Sequence, residues 1–167
     1  MIKDGYVKTE TIEEIQNRVL EEVQLPEGWK FEKEEASKWY DNILILREKN
    51  NALYLEAISL VEENQGQGYG TKVMNIICDV ADEYGIDIIL EAYPLKECTG
   101  RDVFKLMRFY KKFGFEESDA TRSYLADFFR WYRKYGRRAE RTYSEVWQSD
   151  GTHEFVWQDP FWMVRWA

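Results

Sequence analysis

The chain has 167 residues, a formal net charge of −8, and contents of 44% hydrophobic and 16% aromatic residues. This length and composition predict a single globular domain over residues 1–167 with its own core. No apolar run approaches the roughly 18 residues of a membrane helix, and the acidic charge argues against general nucleic-acid binding.

The cysteine and histidine content excludes further classes of protein. Cys78 and Cys98 are too few for a disulfide framework, and we expect both thiols to be reduced. No Cys/His cluster has the spacing of metal ligands, so no metal site is predicted. The single histidine, His153, is interpreted as a surface strand residue. The N-terminus leads into no apolar signal region, which predicts a cytoplasmic protein without a membrane partner.

The first third of the chain predicts one helix and three strands. Apolar residues recur at helical spacing from Thr11 to Val23, and Thr11 with Glu14 matches a capping box. The turn at residues 26–28 ends this helix. A second turn, at residues 49–51, joins the last two strands. The predicted strands are Trp29–Lys33, Asn42–Glu48 and Ala52–Val61.

A glycine-rich segment, Glu62–Gly70, joins the third strand to an amphipathic helix that begins near Thr71. Glycines permit a tight turn whose N–H groups converge on an anion at the positive end of the helix dipole. The turn is therefore either an anion site or a structural cap. A P-loop motif is absent, and Gly66, Gly68 and Gly70 lack the spacing of a dinucleotide fingerprint.

Alternating α and β elements continue after the glycine-rich segment. Its helix is predicted to end at Gly85. Ile86–Tyr93 is apolar and follows a crossover helix, which predicts a buried parallel strand. A further helix over Arg101–Phe113 ends at Gly114, and Phe161–Trp166 is predicted as the last strand.

Two motifs in this order resemble the GNAT acetyltransferase superfamily. Gln65, Gly68 and Gly70 fit its [Arg/Gln]-x-x-Gly-x-[Gly/Ala] pyrophosphate loop, and the segment 110–115 is similar to its Tyr-x-x-x-Gly-Phe segment. The resemblance covers residues 40–118. It implies an α/β fold with a mixed, mostly antiparallel central sheet, in which a parallel splayed strand pair is flanked by helices.

The resemblance also implies the activity and the cofactor. It implies an N-acetyltransferase that uses acetyl-CoA as cosubstrate and transfers the acetyl group to a primary amine by direct attack in a ternary complex. The pantetheine arm would pair with the backbone of the third strand as an added β-strand does. The cofactor-binding residues implied in this way are Ile58, Ser59, Leu60, Gln65, Gly66, Gln67, Gly68, Tyr69, Gly70 and Thr71.

Two residues are candidates for acid and base catalysis. Tyr110 is predicted to protonate the leaving thiolate, because a phenol of pKa about 10 can serve a thiolate of pKa roughly 8.5 to 10. The alternative places Tyr110 in the core beside Leu106 and Phe113. Glu56 matches the position of the base proposed for spermidine/spermine N-acetyltransferases, and half-burial is expected to raise its proton affinity. The alternative is a solvent-facing strand residue.

Residues 119–158 form an insertion atypical of this superfamily. The sequence predicts a basic aromatic helix over Ala120–Tyr135, a break at Gly136, and a hairpin of Thr142–Gln148 with Thr152–Gln158. Three interpretations stay open. The insertion is a lid over the acceptor site, a basic aromatic platform for nucleotides or another acidic partner, or an extra core layer.

The partner of the chain is predicted only as a class. The acceptor is an amine on a small molecule or a protein, nucleic acid is disfavoured except through the insertion, and a homodimer is left open. The alternative function is a catalytically inactive GNAT-shaped binding protein whose insertion docks a partner. Cys98, as an acyl carrier, is disfavoured because no activating base lies beside it in the sequence.

Overall fold

The computed structural model describes residues 8–35, 41–92, 100–118, 144–147, 153–156 and 161–167. None of the helices in these ranges is both long and apolar enough to cross a membrane. The predicted helix Ala120–Tyr135 and its break at Gly136 lie outside the described residues. The helices are α1 (Thr9–Glu22), α2 (Tyr69–Tyr84) and α3 (Gly100–Lys111), and the strands are β1 (Ile43–Lys49), β2 (Ala52–Ser59), β3 (Ile88–Ala92), β4 (Glu116–Glu117), β5 (Ser144–Trp147), β6 (His153–Val156) and β7 (Phe161–Arg165).

Five of the strands form one mixed sheet in the order β1-β2-β3-β7-β4. β1 pairs antiparallel with β2, and β4 pairs antiparallel with β7, whereas β2 and β3 run parallel. A parallel pair needs a crossover connection, and here that connection contains α2. The predicted mixed, mostly antiparallel sheet with one parallel pair flanked by helices is confirmed.

One compact unit contains Met1–Leu90 and Arg165–Ala167. Within it α1 packs on α2, and α2 packs on β2. Both helices bury a single stripe at helical spacing, Ile15 and Val19 on α1, and Val73, Ile77 and Val80 on α2. The guanidinium of Arg165 binds the carboxylate of Asp82 on α2 through two bonds of 2.7 and 2.8 Å.

The second compact unit is Glu91–Val164. In it α3 is followed by Gly114, whose φ of 89° suits glycine, and then by β4. β4 pairs with β7, and β5 pairs with β6 as a separate antiparallel hairpin, which confirms the predicted hairpin. The most deeply buried of this unit's described side chains are Ala92, Met107, Tyr110, Phe115 and Met163.

Two local predictions were wrong. Trp29–Lys33 is not a strand, because only Lys30 forms an isolated bridge to Ile43, and the charged segment Lys33–Glu35 forms an exposed 3-10 turn. Thr11 does not cap α1. The helix begins at Thr9 after Lys8, no side chain caps it, and Thr11 lies buried inside it. Burial of Thr11 in the core therefore took precedence over local capping.

Candidate functional site

The segment between β2 and α2 presents a row of free backbone donors. The N–H groups of Tyr69, Gly70 and Thr71 occupy the first turn of α2, where a helix offers no internal acceptor. In the described chain, no acceptor is bound by the N–H groups of Gly66, Gln67 and Gly68 either. The first bonded amide is that of Lys72, which donates to the Gly68 carbonyl at 3.1 Å. Six consecutive donors thus stand at the positive end of the α2 dipole.

Two glycines give the segment its shape. Gly66 has φ 73° and Gly68 has φ 83°, a left-handed conformation that costs other residues about 1–2 kcal/mol. A Cβ built on either glycine meets no atom within 4 Å. Backbone conformation, and not crowding by the protein, therefore requires glycine here. This open space leaves the backbone accessible, and free N–H groups at a helix N-terminus favour an anion.

The two glutamines of the segment are engaged with the protein's own backbone. Gln65 donates its N–H to the Glu62 carbonyl at 3.1 Å and its side-chain amide to the Leu60 carbonyl at 2.9 Å. Gln67 donates its side-chain amide to the Glu63 carbonyl at 2.6 Å. The Gln65 N–H is therefore not among the free donors, and its side chain ties the loop to the end of β2.

A buried amide cluster holds the loop from behind. Asn42, 1% exposed, donates to the Gly28 carbonyl at 3.0 Å, and its Oδ1 accepts from the Val61 N–H at 3.0 Å. The Nδ2 of Asn64 donates to that same Oδ1 at 3.3 Å and to the Glu27 carboxylate at 3.1 Å. The cluster therefore joins the turn after α1, the start of β1 and the segment that leads into the loop.

Sequence reasoning missed both asparagines. An asparagine before a strand or in a polar turn is ordinarily a turn residue. The partners lie far away in sequence: Val61 is 19 residues from Asn42, and Glu27 is 37 residues from Asn64. No local pattern encodes contacts at such separations.

β2 contains a bulge at Glu56. Ala57 lies opposite Ile45 and Leu55 lies opposite Leu46, so Glu56 has no opposite residue on β1. On the other side, the described pairing of β2 with β3 ends at Leu55. β2 itself continues to Ser59. The stretch that contains the candidate residues Ile58 and Ser59 therefore extends past the parallel ladder.

The carboxylate of Glu56 is held by two cations. Its Oε1 contacts the Lys33 ammonium, and its Oε2 accepts a hydrogen bond of 2.6 Å from the Nε of Arg47. Burial raises the pKa of Glu56. The hydrogen bonds and charges of Lys33 and Arg47 together lower it by more, so the net pKa lies below the ordinary 4.5. The expected rise in proton affinity is therefore wrong. Glu56 is an ionised, cation-binding carboxylate at neutral pH.

Tyr110 lies in the second unit, on the last turn of α3. Its ring is 4% exposed and contacts Phe109 and Phe115, with centroid distances of 5.4 and 5.8 Å. Among the described residues its hydroxyl has no hydrogen-bond partner. Burial raises the pKa of Tyr110 well above the ordinary 10. The side chain is therefore both a core residue and a buried neutral donor that has no acceptor in the described part of the chain.

The remaining described groups show neither a reactive thiol nor a metal site. Burial raises the pKa of the Cys78 thiol to about 11, which leaves it protonated and inert at neutral pH. No group of three or more metal-binding side chains occurs within the described ranges. Cys98 lies outside the described residues, as do the side chains of the insertion and that of His153.

Comparison with protein families identifies the strand, loop and helix just described. The acetyltransferase (GNAT) family model matches residues 25–115, more than half of the chain. The chain belongs to the GNAT acetyltransferase family. This match contains the free donors, the bulged strand and Tyr110, and it confirms the family resemblance of the two sequence motifs. The particular similarity to spermidine/spermine N-acetyltransferases stays a prediction.

Comparisons with individual proteins add little to this GNAT assignment. A search of curated proteins gave no match. A solved structure of Arabidopsis thaliana Naa50 in complex with the bisubstrate analogue CoA-Ac-MVNAL is similar at 16% identity, with coverage of 97% of this chain and 96% of that chain. Its TM-score of 0.41 is too low to support a conclusion about fold or function.

We expect Asn64→Ala to loosen the loop. The substitution removes two hydrogen bonds of a buried amide and should cost about 1–3 kcal/mol of unfolding free energy. Hydrogen exchange should show faster exchange of the Val61 and Gln65 amides. The control is Tyr84→Phe, which removes a side-chain hydrogen bond, to the Glu14 carboxylate, outside this cluster but in the same unit. Equal exchange at Val61 and Gln65 in both variants would contradict the role of Asn64.

Acid should remove the stabilisation that Glu56 contributes. Because the folded pKa of Glu56 is lowered, its contribution is present above the unfolded value of 4.5 and is lost as pH falls through the folded value. The stability difference between wild type and Glu56→Gln should therefore be constant near neutral pH and shrink below about pH 4.5. Urea unfolding of both proteins between about pH 3 and pH 7 measures it. A difference that does not change with pH would rule out the ion pairs as its source.

Proposed function

We propose that this chain is an acetyl-CoA-dependent N-acetyltransferase, which transfers the acetyl group to a primary amine by direct attack in a ternary complex. Membership of the GNAT family supports acetyl transfer in general. The observation that carries the cofactor assignment is the row of six free N–H groups from Gly66 to Thr71 at the start of α2. A pyrophosphate would accept from these donors and gain from the α2 dipole.

The rest of the cofactor would run along β2. Residues past Leu55 extend beyond the described ladder with β3, so the backbone of Ile58 and Ser59 is a candidate to pair with a pantetheine arm as an added strand does. The Leu60 carbonyl is already bound by the Gln65 side chain, which fixes the angle at which the loop leaves β2. In this arrangement the thioester would lie beside the bulge at Glu56.

Tyr110 is proposed as the group that hydrogen-bonds the departing sulfur. Its raised pKa makes it a poor acid in water, but it also keeps the hydroxyl protonated at every working pH. A protonated phenol can donate a hydrogen bond to a thiolate as the thiolate forms. The proton would move to the sulfur as the carbon–sulfur bond breaks, because burial also disfavours the thiolate.

Glu56 is proposed to bind the acceptor as an ammonium ion. Its lowered pKa makes it a weak base, so attraction of a cation is the larger effect. The attacking amine must be neutral, and its proton would pass by way of the carboxylate to water. Polyamines, small amino compounds and protein amino groups all carry such a cation. The acceptor and the cytoplasmic location stay predictions, as does the insertion as a lid over the acceptor site. A homodimer stays open.

A binding protein without turnover is the second candidate function. Two observations favour it: Glu56 already has two cationic partners, and Tyr110 has a pKa displaced away from the thiolate range. Such a protein would bind acetyl-CoA at the same loop but would not acetylate amines. A thermal-shift measurement with acetyl-CoA followed by an assay of thiol release with primary amines separates the two functions.

The cofactor assignment is tested by Gly68→Ala with Gly85→Ala as its control. Both glycines are left-handed, flank α2 and face open space, so each alanine should cost about 1–2 kcal/mol of stability. Only the Cβ at position 68 would stand in front of the free donors. We expect acetyl-CoA affinity to fall about tenfold or more in Gly68→Ala and to stay unchanged in Gly85→Ala, by calorimetry. Equal affinities in the two variants would remove the loop from the site.

The role of Tyr110 is tested by Tyr110→Phe. Phenylalanine keeps the ring contacts with Phe109 and Phe115, so fold and acetyl-CoA affinity should be retained while kcat falls about 100-fold. Since the pKa of Tyr110 is raised, the loss should be the same at every pH from about 6 to 9. Tyr84→Phe, which removes an exposed hydroxyl bound to Glu14, is the control. Wild-type turnover by Tyr110→Phe would make Tyr110 a packing residue only.

The role of Glu56 is tested by Glu56→Gln in steady-state kinetics over a pH series. Removal of the charge should raise the KM for the amine about tenfold where the amine is an ammonium ion, because a bond to a charged group is lost. The effect should fade at pH values above the pKa of the amine. Glu22→Gln, on the exposed face of α1, is the control. A loss that is uniform across the pH range would assign Glu56 a structural role.

A further inference from the structure

One amine of the chain itself already lies on the carboxylate proposed to receive the acceptor. Lys33, in the exposed 3-10 turn, contacts Oε1 of Glu56 through its ammonium group. The Lys33 side chain is 62% exposed, whereas that of Glu56 is 15% exposed. Lys33 therefore lies on the solvent side of the carboxylate, in the place that an incoming ammonium ion would take.

The second cation on Glu56, the Arg47 guanidinium, differs from Lys33 in its chemistry. The Nε of Arg47 donates to the other oxygen, Oε2, at 2.6 Å, and this bond raises the pKa of Arg47 further. A guanidinium that stays protonated has no lone pair with which to attack a carbonyl. A lysine in an exposed ion pair can leave its partner and lose a proton. Of the two cations, only Lys33 can therefore become a nucleophile.

The position along β2 places this amine near the expected acyl group. Glu56 is the unpaired residue of the bulge, and the described ladder with β3 ends one residue earlier, at Leu55. This step rests on the proposed function, in which the cofactor pairs beyond that point and its thioester lies beside Glu56. An amine held on Glu56 is then within one side-chain movement of the thioester.

We propose that Lys33 is a self-acetylation site: the chain transfers one acetyl group from bound acetyl-CoA to the Nζ of its own Lys33. The ammonium first loses a proton to water, by way of Glu56. The lone pair of Nζ then attacks the thioester carbonyl carbon, a carbon–nitrogen bond forms, and the carbon–sulfur bond breaks. As the carbon–sulfur bond breaks, Nζ gives up its second proton and the sulfur, which leaves with the bonding electrons, takes up one, so free CoA thiol is released and an amide remains on Lys33.

Self-acetylation changes the acceptor site. The amide of acetyl-lysine carries no charge, so Glu56 keeps only Arg47 as a cationic partner and its Oε1 is released. That oxygen can then bind the ammonium of an external acceptor without competition from Lys33. The modification would therefore act as an activating switch. Lys33→Gln, which mimics the neutral acetylated side chain, should lower the KM for an amine, whereas Lys33→Arg should not.

The test is time-resolved mass spectrometry of the full chain incubated with acetyl-CoA. We expect a single acetyl group on Lys33, added at least about tenfold faster than on the exposed lysines Lys8 and Lys112. The first-order rate should not depend on protein concentration, because the transfer is within one chain. Gly68→Ala should slow the modification and Gly85→Ala should not. The rate should rise with pH because only a neutral amine attacks.

The outcomes separate this inference from the proposed function. The same samples are assayed for acetyl-CoA binding by thermal shift and for acetylation of added butylamine. If acetyl-CoA binds and butylamine is acetylated while Lys33 reacts no faster than Lys8, self-acetylation is overturned and the proposed function stands. A rate on Lys33 that grows with protein concentration also overturns it. If acetyl-CoA neither binds nor reacts, both proposals fail.

Discussion

The candidate site depends first on the buried side chain of Asn42. Its amide bonds the Gly28 carbonyl, the Val61 N–H and the amide of Asn64, so one polar group ties the start of β1 to two other chain segments. A buried amide that lost these partners would keep the cost of its desolvation, which makes the arrangement hard to abandon. Because Asn64 lies near the start of the glycine-rich segment Glu62–Gly70, its bonds fix the point from which the free donors follow.

The binding groups of this segment are backbone N–H donors. Six consecutive N–H groups bind no acceptor in the described chain, and the left-handed Gly66 and Gly68 have open space where a side chain would begin. The side chains of Gln65 and Gln67 donate to the Leu60 and Glu63 carbonyls, so these two acceptors are already occupied. A surface that offers donors at a helix N-terminus favours anions over cations. This preference exists in a chain whose overall charge is −8.

The pKa values of two groups differ from the sequence-based expectation in opposite directions, and hydrogen-bond and ion-pair partners explain the difference. Glu56 is largely buried, yet Lys33 and Arg47 bind its charged form and outweigh burial, so its pKa falls. The Tyr110 hydroxyl forms no hydrogen bond with any described residue, and burial raises its pKa. The proposed chemistry consequently relies on ammonium binding and on a neutral hydrogen-bond donor, and less on side chains whose pKa values lie close to working pH.

The sequence by itself determined the elements whose signals are local. Helical periodicity, the left-handed Gly85 after α2, the glycine-rich turn and the apolar run of β3 were all predicted correctly, because each depends on neighbouring residues. Only the tertiary structure decided the contacts of high sequence separation. It placed Asn42 under the loop, brought Lys33 to Glu56, buried Thr11 in the core and left Trp29–Lys33 outside the sheet, except for a bridge at Lys30. Charge pairs and buried amides carry no periodicity, and so they appear only when distant segments of the chain meet.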